Sequence, residues 1–454
     1  MARARAWVLV SVALGIPCVA HAGNDDEILL GNDAALMGGA VVASVNDGSA
    51  LWYNPAGLAL ASGSKVDVGA SAFTLRTHDA PSLIRWAGGT DGDANFTELV
   101  TVPSALTYLR RFGDRVTGGL GLFTSHFNDG SLQASTSFED VGVARASVLY
   151  AGELARYHLI AGVGVQVAPR VSVGIALSGD YQNETDTVRV TITGEQGGQT
   201  FIASTASSFS SINTLGFHLR AGISVQATDQ LRLGVSLESP GFYFFRGAHA
   251  SVEAIQADLT ETPPQLAANT ESPSRRGAVF GMYAPVRVRF GGALAVGGGT
   301  LALEADVQSK VKDELDDPDI VDDEDEIMAD RVFTWNVRAG ARFPVGEHYH
   351  LGAGFFTDRG SERKDKVGAG RMHFYGGTLG VQYENRRMLA PAPGETEPRH
   401  GLTFSSTVAL RYAYGSGKES GISFDPNEQS GIADRAVQAT VHEVTLHLGS
   451  GLYF

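Results

Sequence analysis

The feature that most limits what this chain can become is strict alternation of apolar and polar residues, repeated along its length. In residues 217–227, Phe217, Leu219, Ala221, Ile223 and Val225 alternate with His218, Arg220, Gly222, Ser224 and Gln226. Leu231, Leu233, Val235 and Leu237 then oppose Arg232, Gly234, Ser236 and Glu238 across a short Thr228-Asp229-Gln230 turn. The same pattern returns at 171–180, 286–290, 301–307 and 333–342. A period of two places each set on one face of a strand. Two architectures satisfy it. In a soluble sandwich the apolar face is the core. In a membrane barrel the apolar face meets lipid and the polar face lines the lumen.

Loop lengths separate these architectures. About fourteen strand candidates can be placed, at 65–77, 100–112, 114–126, 145–168, 170–193, 207–227, 229–246, 278–296, 298–311, 331–343, 347–359, 370–384, 401–416 and 437–454, an even number as in bacterial barrels. Tight turns fall around Gly113, Pro169, Thr228, Gly297 and 344–346. Long polar connections lie between them, at 79–97, 128–144, 194–206, 251–277, 312–330, 360–369 and 417–436. Short turns on one side and long loops on the other are the outer-membrane arrangement. The segment 385–400, with three prolines, breaks the short side, and the fourth candidate is long enough to hold a loop helix. The expected fold class is therefore all-β, a transmembrane antiparallel barrel.

The start of the chain reads as an export signal, 1–22. Arg3 and Arg5 precede an apolar core at 7–16, and Ala20-His21-Ala22 forms an A-x-A cleavage site. That core is too short to span a bilayer as a helix, and no later apolar run is long enough either. The net charge of -15 becomes -17 when Arg3 and Arg5 leave with the acid-free signal, which argues against a nucleic-acid partner. The only cysteine is Cys18, inside the signal, so the mature chain has no disulfide.

Just after the signal, the stretch 38–59, GGAVVASVNDGSALWYNPAGLA, is rich in small residues and contains Asn54-Pro55-Ala56. Small residues let backbone pack closely against a wall. Pro55 fixes its own φ and steers Asn54 away from helix, which favours a turn. This stretch resembles the N-terminal hatch of the FadL-type outer-membrane channels, which take up long-chain fatty acids and other hydrophobic molecules. In that family an Asn-Pro-Ala turn follows a small-residue segment carrying an Asp, here Asp47. The chain ends on Phe454, with Leu452, Leu448, Leu446 and Val444 behind it. A final strand ending in Phe resembles the signal read by the barrel-assembly machinery.

The resemblance implies a plug at 23–64 inside a barrel of 65–454, gated by Asp47, Asn54, Pro55 and Ala56. It implies an inward kink in the third strand that opens the wall to the membrane. Gly118, Gly119 and Gly121 are the residues for it, unless they only make room for the plug. It also implies passive capture of a fatty acid or hydrocarbon by an apolar outer loop, here Phe242, Tyr243, Phe244 and Phe245, and lateral release to outer-membrane lipid. The lumen face carries Arg220, Arg232, Arg287, Arg289, Arg338, Arg342 and Arg411 opposite Asp180, Glu238, Glu304, Asp306 and Glu443. Either these groups pair with each other, or one or two of Arg220, Arg287 and Arg338 hold a carboxylate headgroup, for which a guanidinium fork is suited. The chain has no H-E-x-x-H, G-x-S-x-G or P-loop motif, so no catalytic residue, cofactor or metal is expected, and the protein is read as a monomer. The acidic run 312–330 lacks the glycine and ligand spacing of an EF-hand. The rival reading is a structural or adhesive barrel whose plug never opens.

Overall fold

The computed structural model describes residue 24 and residues 28–86, 91–137, 143–196, 199–258, 265–271, 274–277, 281–311, 331–361, 371–389, 399–424 and 432–454. The signal 1–22 and the acidic run 312–330 lie outside the described residues.

The chain forms one closed sheet. The first strands are β1 (Lys65–Trp86), β2 (Gly92–Phe112), β3 (Val116–Ser137), β4 (Val143–Ala168), β5 (Val171–Gln196) and β6 (Gln199–Gln226). Then come β7 (Leu231–Glu238), β8 (Gly241–Asp258), β9 (Gln265–Glu271), β10 (Ser274–Gly277), β11 (Gly281–Ala284) and β12 (Arg287–Val296). The last are β13 (Gly299–Gln308), β14 (Thr334–Val345), β15 (Tyr349–Arg359), β16 (Arg371–Leu389), β17 (Arg399–Phe424) and β18 (Ile432–Tyr453). β7 and β8 continue one another along β6, and β9 to β12 form the returning strand, so the wall has 14 strands. β1 closes the ring against β18, from Lys65↔Tyr453 to Asp79↔Thr440. The backbones of Ser64 and Phe454 pair reciprocally at that seam, at 3.0 and 3.1 Å. Closure leaves no sheet edge, which is what a strand structure needs to sit in hydrocarbon.

The faces decide between sandwich and membrane barrel. Along β6, Leu219 and Ile223 point outward while His218, Arg220 and Ser224 are buried inside. Leu303 and Leu379 are 66% and 68% exposed, whereas Arg76 and Arg220 are 0% and 1%. A water-soluble protein would be inside out with these faces, since each exposed Å² of apolar surface costs about 25 cal/mol in water. Lipid removes that cost. The protein is a membrane-spanning barrel with a polar interior. Among the described residues no helix is long and apolar enough to cross a membrane.

The tight turns fall where expected. Gly113, Gly297 and Gly346 adopt φ of 68°, 56° and 70°, a region that favours glycine. The other end differs from expectation. β1 to β6 run 22, 21, 22, 26, 26 and 28 residues, so most of 79–97, 128–144 and 194–206 is strand rather than loop. About ten residues cross the bilayer, but nothing stops a ladder from continuing into water when its polar residues still pair. Cross-strand hydroxyls such as Thr191 and Thr205 do so at 3.4 Å. The fourth candidate holds no helix; β4 is continuous. Residues 242–245 are not an outer loop either. Ser239-Pro240 interrupts the wall, and Phe242, Tyr243, Phe244 and Phe245 lie in β8, paired with β6 and β11. Of 385–400, residues 385–389 belong to β16 and 399–400 to β17, and 390–398 lie outside the described residues.

Candidate functional site

Residues 29–61 are almost entirely buried. They contain two short helices, α1 (Asn32–Leu36) and α2 (Ala50–Tyr53), and a 3-10 turn, Pro55–Leu60. The 3-10 turn and α2 touch β3 to β6, while α1 touches β14 to β18, so the segment crosses the inside of the wall.

Asn54 is fully buried and fully used. Its Nδ2 donates to the Val42 carbonyl at 2.8 Å and to the wall carbonyl of Ile223 at 3.2 Å. Its Oδ1 accepts from the Ala56 N–H at 3.1 Å, capping the turn that Pro55 begins. The seat for this turn is a row of glycines. Gly164, Gly174 and Gly222 stand side by side on β4, β5 and β6. A Cβ at Gly174 would lie 2.2 Å from the Pro55 carbonyl carbon, and one at Gly222 would lie 1.9 Å from Asn54 Oδ1. Gly234 and Gly291, paired across β7 and β12, give the same room to Val42. Asp47 turns back on its own segment, accepting from the Ser49 N–H at 2.9 Å, and lies 3.9 Å from Lys65 Nζ.

The lumen arginines pair with acids and clamp the segment. Arg220 binds Glu238 at 2.6 Å, donates to the Leu51 carbonyl at 2.9 Å and covers the Trp52 ring at 4.8 Å. Arg289 donates to the Trp52 carbonyl at 3.1 Å. Arg287 pairs with Asp306 at 2.8 Å, and Arg338 bridges Glu304 and Asp306 at 3.2 and 2.6 Å. Glu304 also accepts the N–H groups of Val41 and Val42, at 2.9 and 2.8 Å. Of the two readings of these arginines, the geometry supplies the paired network.

Beyond the segment the interior changes character. Ala80, Leu83 and Ile84 of β1, Ala94 of β2, Ala134 of β3, Val148 and Tyr150 of β4, Phe356, Met372 and Phe374 of β15 and β16, and Ala439 and Val441 of β18 pack into one buried apolar cluster, with Phe96 against it. Beside this cluster the ladder between β2 and β3 is interrupted, with Gly92 lying against the Ser135 backbone at its far end. β2 and β3 pair only from Phe112↔Val116 to Ala105↔Phe123. Among the described residues no ladder pair joins 92–104 of β2 to 124–137 of β3. β3 carries a register shift between Thr124 and His126 at the foot of this gap. Ala94 and Phe96 come from one rim and Ala134 from the other.

Gly118, Gly119 and Gly121 lie below the gap, where β3 is paired on both sides. Gly119 and Gly121 face Leu51 of α2, which a Cβ would meet at 3.4 and 3.1 Å. The shift in β3 falls at Ser125, where no glycine marks it. The glycine seat was written in the sequence as small residues recurring on the polar faces of successive strands, but only register shows that they align. The apolar cluster left a fainter trace. The inward face of β16 passes from Gln382 through Thr378 to Phe374 and Met372, so polar gives way to apolar along one face.

No protein-family model matches the chain, and no curated protein sequence does. Solved structures do. The crystal structure of a Pseudomonas aeruginosa FadL homologue superposes with a TM-score of 0.56 at 12% identity, covering 95% of this chain and 99% of that one. The Pseudomonas putida toluene transporter TodX gives 0.54 at 13%, covering 94% and 99%. The CymD monoaromatic hydrocarbon channel gives 0.53 at 13%, covering 94% and 97%. With identity this low the likeness is one of fold, and over nearly the whole chain the fold is that of the FadL-type outer-membrane channels.

Proposed function

We propose that the protein is a passive outer-membrane channel for hydrophobic molecules, with residues 23–64 as its plug. The observation that carries this reading is the apolar cluster, which lies beyond the N-terminal segment and takes residues from both sides of the interrupted β2–β3 ladder. A hydrophobic molecule entering from outside would sit there and leave through the gap between β2 and β3 into lipid, without crossing the polar zone below. The transfer of apolar surface out of water supplies the drive, at about 25 cal/mol per Å². No covalent chemistry is required. Arg220, Arg287 and Arg338 are engaged by Glu238, Asp306 and Glu304, which supports an uncharged ligand such as a monoaromatic hydrocarbon over a carboxylate. The toluene transporter TodX and the monoaromatic hydrocarbon channel CymD have the same fold.

Phe374→Asp tests the reading. Phe374 is 1% exposed within the cluster. A carboxylate there makes the cluster hydrophilic, and even about 1.4 kcal/mol lost from binding is tenfold in affinity. Native mass spectrometry of the purified protein with added toluene should show a bound complex for the parent and about tenfold less for Phe374→Asp. Equal occupancy would remove the cluster from the account and favour a purely structural barrel.

A further inference from the structure

Three lumen-facing side chains on adjacent strands meet just beside α2. His158 of β4 stands directly opposite Asp180 of β5, and His218 of β6 stands opposite Ser178, one inward position along. The Nδ1 atoms of both imidazoles lie against the one carboxylate, at 2.6 and 2.7 Å, and all three residues are buried. Their ligand atoms lie within 4.8 Å of one another. We propose that His158, Asp180 and His218 form a binding site for a divalent transition-metal cation.

The donor set selects the class. Two imidazoles and a carboxylate suit zinc, nickel, cobalt or ferrous iron, whereas calcium and magnesium require mostly oxygen ligands. Bonds of about 2.0–2.2 Å from one tetrahedral ion hold its ligand atoms about 3.4 Å apart, so the two imidazole–carboxylate contacts must widen by about 0.7–0.8 Å and ligand atoms now farther apart than that must close in, a rearrangement of side chains alone. Three protein ligands leave one tetrahedral position for water. The outer partners are also present, as they are for ligating histidines elsewhere. His158 Nε2 is 2.7 Å from Ser125 Oγ, a hydroxyl that can accept or donate.

The two imidazoles differ in what lies behind them. Without metal, each Nδ1–H donates to Asp180, and each Nε2 is an acceptor. His218 Nε2 then accepts from Arg220 Nη2 at 3.2 Å. A metal on Nδ1 forces the proton onto Nε2, and two donors face each other. Arg220 must withdraw, and Glu238 Oε1, 3.7 Å from His218 Nε2, becomes the acceptor. Arg220 is the residue that holds Leu51 and covers Trp52. Cation binding at this site therefore loosens one clamp on the N-terminal segment; this consequence, unlike the site itself, rests on that segment being a movable plug.

The test uses the mature, chelator-treated barrel in detergent, titrated with cobalt by visible absorption and with zinc by calorimetry. One cation per barrel is expected, with affinity lowered roughly tenfold or more in His158→Gln and in His218→Gln. His447→Gln, a buried histidine on β18, should bind as the parent does. Heat-modifiable migration on a detergent gel confirms that each variant is folded. No binding by the parent below about 1 mM, or binding that persists in the His158→Gln, His218→Gln double variant, overturns the site. In bilayer recordings zinc should raise channel opening in the parent and not in His218→Gln. Binding without any change in opening overturns the coupling and leaves the site standing.

Discussion

Gly222→Val should open the barrel to ions. Valine suits a strand, so the wall itself is not the target of this change. The target is the turn behind it. A Cβ at Gly222 would lie 1.9 Å from Asn54 Oδ1 and 3.1 Å from Pro55 Cδ, distances at which the turn cannot stay. Displacing it breaks the Asn54 bonds to Val42 and Ile223 and the cap on Ala56. Each is worth about 1 kcal/mol net, and more if a partner stays buried and unpaired. Losing two or three shifts the balance of seated and displaced segment by roughly 30- to 140-fold, at about 1.4 kcal/mol per decade. Planar-bilayer recordings should show a nearly silent parent and a conducting Gly222→Val. The control is Gly179→Val on β5, where the nearest atom to a new Cβ is 3.9 Å away. A silent Gly222→Val with normal heat-modifiable migration would show that the segment is not a plug.

Glu304→Ala should produce the largest loss of stability of any single change in the lumen. This carboxylate is 2% exposed and serves three donors: the N–H groups of Val41 and Val42 and the Arg338 guanidinium. Alanine leaves two buried N–H groups without their acceptor, at about 1–3 kcal/mol each. It also removes one side of a buried ion pair, for which about 3–5 kcal/mol is typical. Arg338 keeps Asp306 at 2.6 Å, which holds the total near the lower end of the sum. The expected loss is therefore about 5 kcal/mol. It should appear in two places: a lower denaturant midpoint in micelles, and new protease cleavage within residues 28–61. Glu304→Gln keeps one acceptor oxygen and should lose less than half as much. Equal loss in both variants would mean that charge alone, and not the backbone bonds, holds the segment.

The barrel was legible because its signal is periodic. Leu219 and Arg220 declare opposite faces whatever surrounds them, and the glycine turns at Gly113, Gly297 and Gly346 separate successive pairs of strands. Strand length was not legible, since pairing beyond the bilayer depends on partners that sit in another part of the sequence. Asn54 could be read as a buried, bonded turn residue because Pro55 and the flanking small residues leave few alternatives. The partners it uses, Val42 and Ile223, are carbonyls, and a carbonyl has no sequence signature. The aromatic residues at 242–245 lie in β8 rather than in a loop, since only Ser239-Pro240 separates β7 from β8 and the ladder resumes at Gly241. His158, Asp180 and His218 were the least visible, lying 22 and 38 residues apart on three strands and meeting only through the register of the sheet.

The most direct measurement of the central claim is uptake. A host lacking its own channels of this fold would be supplied with the protein, and the initial rate of accumulation of radiolabelled toluene measured, normalised to surface protein. The account predicts a rate several-fold above the host without the protein, no comparable gain for a labelled polar solute such as glucose, and a smaller gain for labelled oleate. Equal toluene uptake with and without the protein, at confirmed surface expression, would contradict it.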